Sequence, residues 1–277
     1  MQFFIVRKLD DADSTRVNDI LGRILNITKA VGWEQVSVIE DAKIVIAIGG
    51  DGTMLYAMSI SAPHEIPVVG FNIGKIGFLA EFWPNVVEES IIELVNGNWF
   101  LDERTMIHES RSKKLAINEF HITPKLSKDV LKYEFFIDGV SSGTHYANGL
   151  LISTPTGSTA YSLSVGGALL QPGAPVFQIT PVAPMTMNSR AVIVSDDAQI
   201  SVRIYMKQDV VYQLIADGQV ILEDSSYDEG DDHSPPGHKR DTTFTFKKSV
   251  HKAVLMHSNK WNFFDVLKQK LHWNAAV

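Results

Sequence analysis

The stretch Ile44-Val45-Ile46-Ala47-Ile48-Gly49-Gly50-Asp51-Gly52-Thr53 decides the fold class of this chain. Its first half is apolar and β-branched without alternation, which is typical of a strand covered on both faces of a parallel sheet. The three glycines permit positive φ and let backbone N–H groups approach an anion closely. A helix is predicted over Met54–Ser61, so the turn lies beyond the carboxyl end of a strand, where open α/β sheets bind ligands.

The same alternation of strands and helices runs through the first hundred residues. Short buried strands are predicted at Phe3–Val6 and Ile66–Gly70. A helix that Asp13 or Ser14 can cap, and a second helix over Asn85–Val95, show apolar residues at helical spacing. Strand–loop–helix repetition predicts a parallel α/β sheet in a Rossmann-like domain over residues 1–100.

After about residue 100 the pattern becomes mainly β. Strands are predicted at Lys114–Thr123, Leu131–Ile137, Leu150–Ser153, Val192–Val194, Ile200–Tyr205 and Val211–Ile215. Asp138-Gly139 and Asp217-Gly218 are hairpin-turn signals between them. We therefore predict a mainly β domain over residues 101–250, with the boundary near Asn98–Glu103. The last segment, Trp261–Leu271, has apolar residues at helical spacing and is predicted to form a short helix that packs onto another part of the molecule.

The segment Asp224–Arg240 is polar and acidic and contains adjacent prolines. Its neighbours Val220–Leu222 and Thr243–Phe246 resemble paired strands, which predicts an extended hairpin with this segment at its tip. A less favoured alternative is a metal site, whose ligands would be Asp231, Asp232, His233 and His238.

Composition excludes several classes of function. The chain has 32 acidic and 25 basic residues and a net charge of −7, which argues against broad nucleic-acid binding because that usually requires a basic surface. It contains no cysteine, so disulfides and cysteine nucleophiles are excluded and a reducing cytoplasm fits. The sequence has no apolar run near the ~20 residues of a membrane helix, so no membrane partner is expected.

Asp51 is the residue of the glycine-rich turn that carries chemistry. A carboxylate inside an anion-binding turn repels phosphate unless it binds Mg²⁺ or accepts a proton, and both roles occur in phosphoryl transfer. The alternative is a tight strand-to-helix turn in which Asp51 only caps the helix. No G-x-x-x-x-G-K-[ST] loop is present, since Gly74-Lys75 is followed by Ile76.

Three further stretches have compositions that suit a nucleotide. In Gly70–Leu79, Lys75 could reach a phosphate and Phe78 could cover a base, although a structural turn with a core aromatic is the alternative. The adjacent Asn118-Glu119 pair suits the vicinal hydroxyls of a ribose, or is a solvated edge pair.

The third stretch, Asn148–Gly167, is a strand running into a hydroxyl-rich turn, a short helix and a Gly-Gly exit. The hydroxyls of its turn, Thr154–Thr159, offer neutral donors, and Tyr161 offers a stacking face for a base. The alternative is an ordinary Ser/Thr-rich loop, but such loops rarely have this order of strand, turn, helix and glycines.

Taken together and in this order, the four stretches resemble those of the NAD kinase family. The matching segments are Gly49–Thr53, Asn72–Phe78, Asn118-Glu119 and Asn148–Gly167, followed by Thr180–Arg190 and Asp217-Gly218. The resemblance implies an N-terminal α/β domain, a C-terminal β-sandwich-like domain and a C-terminal segment, 251–277, that packs back on the first domain. It also implies transfer of phosphate from ATP, with Mg²⁺, to the 2′-hydroxyl of the adenosine ribose of NAD, in a homodimer or homotetramer.

The resemblance also implies roles for individual residues. Asp51 would be the catalytic carboxylate. Phosphate or ATP would be bound by Gly49, Gly50, Gly52, Thr53 and Lys75. NAD would be bound by Asp51, Gly52, Phe78, Asn118, Glu119, Asn148, Thr156, Thr159, Ala160, Tyr161, Ser164, Ala183 and Met185.

One position departs from the family pattern. The family usually has Asp where this chain has Asn148, and an amide accepts hydrogen bonds more weakly than a carboxylate. From the residues alone, two other functions stay open. One is a lipid or sphingoid kinase that shares the GGDGT turn, and the other is a non-catalytic dinucleotide-binding protein, which Asn148 alone supports.

Overall fold

The computed structural model of the chain describes residues 1–8, 14–73, 77–207, 210–225 and 241–273. The chain divides into two compact units, Met1–Arg104 with His251–Val277 (unit 1) and Thr105–Val250 (unit 2). Among the helices of the described ranges, we find none with the length and apolar character that a membrane span requires.

Five α-helices and sixteen strands occur in the described residues. The helices are α1 Ser14–Ala30, α2 Asp51–Ser61, α3 Val87–Val95, α4 Tyr161–Ser164 and α5 Phe263–Leu271. The first eight strands are β1 Gln2–Arg7, β2 Glu34–Gln35, β3 Ile44–Ile48, β4 Val68–Phe71, β5 Trp99–Glu109, β6 Leu115–Ala116, β7 Glu119–Pro124 and β8 Leu131–Ile137. The others are β9 Val140–Ala147, β10 Gly149–Ser153, β11 Val176–Val182, β12 Val192–Ser195, β13 Ile200–Ile204, β14 Val211–Ala216, β15 Gln219–Ser225 and β16 Thr242–Ser258.

Unit 1 is built on a parallel sheet. Strand β1 pairs with β2 and β3, β3 pairs with β4, and β4 pairs with β16 where Val68 lies beside Leu255. Every residue of β3 is fully buried, as its unalternating apolar run predicts for a strand covered on both faces. Helix α1 buries Val17, Ile20 and Ile24 at helical spacing. The predicted α/β fold of this half is confirmed.

Unit 2 is a pair of antiparallel sheets. One sheet has the order β12-β11-β10-β7-β14-β15, and the other consists of β9, β8, β13 and the first part of β16. Their facing side chains form one apolar core, in which the rings of Phe120 and Phe246 lie 5.2 Å apart. This arrangement confirms the predicted β-sandwich-like fold.

Two of the predicted turns occur as tight hairpins. Asp138 and Gly139 have φ of 49° and 83°, and Asp217 and Gly218 have φ of 46° and 80°. Positive φ at both central residues matches the twist of the flanking strands, which is why Asp-Gly is favoured there. The turns join β8 to β9 and β14 to β15.

The predicted hairpin around the acidic segment is wrong. Strand β15, which contains Val220–Leu222, pairs with β14, while Thr243–Phe246 of β16 pairs with β13 in the other sheet. The Asp217-Gly218 turn folds β15 back onto β14, and the alternating Phe244 and Phe246 of β16 are buried in the core between the sheets. The four alternative metal ligands fall within residues 226–240, outside the described residues.

Candidate functional site

The GGDGT turn joins β3 to α2 and is tightly packed. A Cβ on Gly49 would lie 2.2 Å from Oγ1 of Thr53, so only glycine fits there. Helix α2 begins at Asp51, earlier than predicted, with Gly50 as its N-cap. The N–H groups of Asp51 and Gly52 therefore belong to the first turn, where the helix has no carbonyl to accept from them.

A cavity of about 700 Å³ adjoins this helix end. It is lined by Gly50, Gly52, Thr53 and Tyr56, by Asn72 and Ile73 after β4, by Val6, and by three basic residues, Arg7, Lys8 and Arg16. The basic residues come from the end of β1 and the start of α1. Three cations around the positive end of a helix dipole favour an anionic ligand, although the chain as a whole is acidic.

The carboxylate of Asp51 is held by the second glycine-rich segment. Its Oδ2 accepts a hydrogen bond from the N–H of Phe78 at 3.0 Å, and its Oδ1 accepts one from Leu79 at 3.1 Å. A Cβ on Gly77 would lie 2.2 Å from Oδ1, so this approach also requires glycine. Each oxygen keeps acceptor capacity for a hydroxyl or a cation.

Of the other predicted residues in this segment, Lys75 lies outside the described residues. The ring of Phe78 is half-buried, and the ammonium of Lys270 on α5 lies 5.4 Å from its centroid. Helix α5 begins at Phe263 because the side chain of Asn262 caps it, accepting from the N–H of Phe264 at 2.8 Å.

In unit 2, Asn118 lies within a break in the predicted strand, and Glu119 is the first residue after that break. Residues 117 and 118 separate β6 from β7, because Asp217 draws this backbone out of the ladder. Its carboxylate accepts from the N–H groups of Ile117 at 2.8 Å, Asn118 at 2.7 Å and Glu119 at 3.1 Å. The carbonyl of Asn118 in turn accepts from the N–H of Thr154 at 2.9 Å. The backbone of the pair is therefore fixed on both sides.

Glu119 is a buried carboxyl, with 8% of the residue exposed. Burial, with a smaller effect of the nearby Asp217, raises the pKa of Glu119 to about 8. Its Oε2 has no hydrogen-bond partner within the described part of the chain. A neutral carboxyl carries one donor and retains acceptor sites, so it can both donate to and accept from a hydroxyl.

Glu119 belongs to a polar face of the six-stranded sheet. Across the sheet it pairs with Ser153 of β10, which pairs with Gln178 of β11, while His121 lies two residues along β7. Nε2 of His121 and Oγ of Ser153 are also buried without a partner among the residues described. Burial lowers the pKa of His121 to about 4, so its imidazole is neutral at pH 7.

The hydroxyl-rich segment after β10 covers this face. Gly157 packs against the carbonyl of Asn118, where a Cβ would come within 2.1 Å of the oxygen. The ring of Tyr161 meets that of His121 edge-on, with centroids 5.4 Å apart and planes at 75°. Ser162 accepts from Nε2 of Gln178 at 2.5 Å. The turn, the short helix and the sheet therefore form one packed assembly.

The remaining predicted residues lie around this assembly or at the far end of β10. Thr156 is buried, Thr159 and Ala160 are half-buried, and Tyr161 and Ser164 are exposed. At the other end of β10, the N–H of Asn148 donates to the carbonyl of Val182 at 2.9 Å, beside Ala183. Ala183 is exposed and left-handed, with a φ of 45°, and the N–H of Met185 donates to the carbonyl of Tyr146 at 2.9 Å.

The structure therefore brings together the residues of the GGDGT turn and Phe78 in unit 1, and Asn118, Glu119 and residues 156–164 in unit 2. It leaves Asn148, Ala183 and Met185 at the far end of β10. It adds five residues that the sequence reasoning missed, namely Arg7, Lys8, Arg16, His121 and Gln178. Gln178 offered a signal, because it is the one amide in the otherwise apolar and hydroxyl-bearing strand Val176–Val182. The three basic residues gave no distinctive signal in the sequence, since exposed cations at strand and helix ends are common.

Comparison with known proteins places these features in one family. Residues 28–99 match the model of the ATP-NAD kinase N-terminal domain, and residues 117–230 match that of the ATP-NAD kinase C-terminal domain. The NAD kinase of Cytophaga hutchinsonii is 34% identical over 237 residues, covering 83% of this chain and 75% of that protein. The NAD kinase of Wigglesworthia glossinidia brevipalpis is 32% identical over 260 residues, covering 92% and 83%.

Solved structures share the fold. An NAD kinase from Archaeoglobus fulgidus in complex with ATP superposes with a TM-score of 0.77 at 23% identity, covering 98% of this chain and 99% of that one. Yeast NADH kinase complexed with NADH gives a TM-score of 0.82 at 19% identity, covering 100% and 89%.

Proposed function

This chain belongs to the NAD kinase family, and we propose that it transfers the γ-phosphoryl group of ATP to the 2′-hydroxyl of the adenosine ribose of NAD, giving NADP and ADP. The observation that carries the proposal is the polar face of unit 2. There Glu119, His121 and Ser153 each present a buried polar atom with no partner in the described residues, and the ring of His121 contacts that of Tyr161. Buried polar groups without partners are costly unless a ligand satisfies them.

On this proposal the polar face binds the nucleoside part of NAD. Asn118 and the neutral Glu119 hydrogen-bond the ribose hydroxyls, and Tyr161 contacts the base. The other residues that we propose to line the dinucleotide site are Gly52, Phe78, Asn148, Thr156, Thr159, Ala160, Ser164, Ala183 and Met185. Asn148 supplies a neutral amide in place of the usual carboxylate, so we expect binding to weaken rather than to be lost.

The phosphates of ATP are assigned to the cavity at the GGDGT turn. Gly49, Gly50, Gly52 and Thr53 are proposed to bind them at the helix end. Lys75, which lies outside the described residues, is proposed from its sequence position to add a cation. Arg7, Lys8 and Arg16 line the same cavity. Its volume of about 700 Å³ suits a nucleotide-sized ligand. Guanidinium groups match phosphate geometry through paired hydrogen bonds.

Asp51 is proposed as the general base. It accepts the proton of the 2′-hydroxyl while that oxygen forms the new bond to the γ-phosphorus. The bond from this phosphorus to the bridging oxygen breaks, and ADP leaves with the electron pair. The amides of Phe78 and Leu79 fix the orientation of the carboxylate for this step.

Mg²⁺ is proposed to enter with ATP. The chemistry of the site fits, since a carboxylate together with phosphate oxygens is the usual donor set for this ion, and Asp51 retains acceptor capacity. When bound, the ion would neutralise charge on the transferring phosphoryl group.

We also propose a homodimer or homotetramer in the cytoplasm, with no nucleic-acid or membrane partner. Exposed apolar side chains in unit 2 support self-association: Met185, Met187, Val192 and Ile193 are between 41% and 95% exposed. The reducing cytoplasm accords with a chain that has no cysteine.

The test is turnover by the purified chain with NAD, ATP and Mg²⁺, followed with an NADP-specific dehydrogenase. Formation of NADP is expected, and its absence at micromolar enzyme would contradict the proposal. Phosphorylation of a sphingoid base or diacylglycerol in its place would indicate a lipid kinase. Calorimetric binding of NAD without any turnover would indicate a non-catalytic dinucleotide-binding protein.

A further inference from the structure

A chain of buried and half-buried ionisable side chains lies in unit 1 beside the segment that holds Asp51. It begins at Glu81, whose Oε2 lies 3.0 Å from Nδ1 of His257 and accepts the N–H of Ser258 at 3.0 Å. The other oxygen, Oε1, accepts the hydroxyl of Ser258 at 2.5 Å. One carboxylate therefore meets three polar groups of β16.

The chain continues through His257. Only 2% of this residue is exposed, and its Nε2 lies 3.5 Å from Oδ2 of Asp102. The imidazole is stacked on Trp261, with centroids 4.1 Å apart and planes at 13°. Both nitrogens thus face carboxylates while an indole fixes the plane of the ring.

Arg104 completes the chain. It is 2% exposed and donates to Oδ2 of Asp102 from Nε at 2.8 Å and from Nη2 at 2.6 Å. Burial acts to raise the pKa of Asp102, but His257 and Arg104 outweigh it and hold that pKa below its usual value. Nε2 of His257 makes no hydrogen bond within the described residues, so its contact with Asp102 is electrostatic. A network of this kind contributes rigidity, and removing one member is costly.

The network connects to Asp51 through a short, tightly packed piece of backbone. Glu81 is two residues from Leu79, whose N–H binds the Asp51 carboxylate. Between them, Ala80 packs against Gly70 of β4, where a Cβ would lie 2.9 Å from the Ala80 Cα. The N–H of Phe82 donates to the carbonyl of Gly70 at 3.0 Å. Segment 77–82 is therefore fixed to β4 by its backbone, to β16 by Glu81 and to α2 by Asp51.

We propose that Glu81, anchored by His257 and Ser258, is a positioning residue for phosphoryl transfer. It holds segment 77–82 so that the amides of Phe78 and Leu79 orient the carboxylate of Asp51. This inference rests on the proposed role of Asp51 as general base. A misplacement of about 1 Å at a reacting group can cost on the order of a hundredfold in rate, so a remote anchor can control turnover.

The central variant is Glu81→Gln, which keeps the side-chain volume and removes the charge. We expect kcat to fall about tenfold or more, while the KM values for NAD and ATP change by less than about twofold. The matched control is Glu103→Gln in the same unit, because Glu103 pairs with Lys252 at 2.6 Å on the surface. The control should leave kcat unchanged. An unchanged kcat in Glu81→Gln, or a raised KM with unchanged kcat, would overturn the proposal.

Two further measurements separate positioning from a general loss of structure. Backbone amide hydrogen exchange should become faster in segment 77–82 of Glu81→Gln but not in β1 or α1. A uniform increase in exchange rate across unit 1 would contradict the proposal. In an Asp51→Asn background, Glu81→Gln should reduce the residual turnover no further. A further reduction would show that Glu81 does not act through Asp51.

Ser258→Ala keeps the test decisive if Glu81→Gln does not fold. It removes one donor to Glu81 and should lower kcat by a few-fold with faster exchange in the same segment. Unchanged kcat and exchange in a folded Ser258→Ala protein would count against the anchor. The exchange readout needs no turnover, so it tests the anchor even if the wild-type chain makes no NADP.

Discussion

The Glu119→Gln substitution should make the protein more stable, although it alters a residue that we assign to the substrate site. The pKa of this carboxyl is about 8 in the folded protein, against 4.5 ordinarily, chiefly because of burial. Between these two pH values the unfolded chain loses the proton and the folded chain keeps it. Glu119 therefore costs no stability below pH 4.5, and it lowers the free energy of unfolding progressively as the pH rises from 4.5 towards 8.

The magnitude follows from the two pKa values. At 1.36 kcal/mol per pH unit, the cost of Glu119 is about 3 kcal/mol at pH 7 and approaches about 5 kcal/mol above pH 8. Glutamine is neutral at every pH and removes this cost. The free energies of unfolding of the two proteins should converge near pH 4.5, and the variant should be the more stable one by a margin that grows with pH.

The assay is urea unfolding followed by far-UV circular dichroism, at steps from pH 4.5 to 8.5. All five tryptophans lie outside Thr105–Val250, so tryptophan fluorescence would not report on unit 2. The control is Glu223→Gln on β15, whose carboxylate lies at the surface beside Lys125 and has a lowered pKa. Its stability difference from wild type should stay constant over this range. A Glu119→Gln protein no more stable than wild type at pH 8 would refute the reasoning.

Three other expectations concern the cavity, the turn and the buried imidazole. Arg16→Gln should raise the KM for ATP by about tenfold, because it removes one charge-assisted hydrogen bond, and it should lessen the salt dependence of that KM. Lys247→Gln on the surface should change neither, and steady-state kinetics at two salt concentrations decide this. Gly167→Ala should cost about 1–3 kcal/mol of unfolding free energy, because its Cβ would lie 2.2 Å from a buried hydroxyl, whereas Gly173→Ala meets nothing within 4 Å; equal thermal midpoints for the two variants would contradict this. His121→Leu should abolish a loss of stability on acidification from pH 6.5 to about 4, because the folded protein resists protonating this ring; an unchanged slope of stability against pH would exclude the effect.

Sequence patterns predicted the first unit well because its elements obey local rules. The run Ile44–Ile48 is apolar at every position, and the observed strand has the same bounds. The helical spacing of Val17, Ile20 and Ile24 likewise matches the buried face of α1. The Asp-Gly turns could be predicted because positive φ at two successive residues restricts the choice of amino acids.

Other elements depend on distant residues and left weaker signals. Strand β5 was not predicted, because none of its first five residues is fully buried and two of them, Asp102 and Glu103, are acidic. The hairpin predicted around the acidic segment was wrong because β15 pairs with β14 and β16 pairs with β13, although β15 and β16 are neighbours along the chain.

The same limit applies to the candidate site. The glycine-rich and hydroxyl-rich stretches could be found because a close backbone approach demands glycine, as at Gly77 and Gly157. The role of His121 could not be predicted, because an isolated histidine in a strand has no distinguishing neighbours in the sequence. Its position under Tyr161 arises only when the segment after β10 folds over the sheet.

The most direct test of the central claim is the identity of the product and its dependence on Asp51. The wild-type chain, given NAD, ATP and Mg²⁺, should yield a product whose ³¹P NMR spectrum shows a new phosphomonoester on the 2′-oxygen of the adenosine ribose. Asp51→Asn should lower kcat by at least about a hundredfold while calorimetry shows NAD still binding. Phosphate on any other oxygen, or full turnover by Asp51→Asn, would contradict the claim.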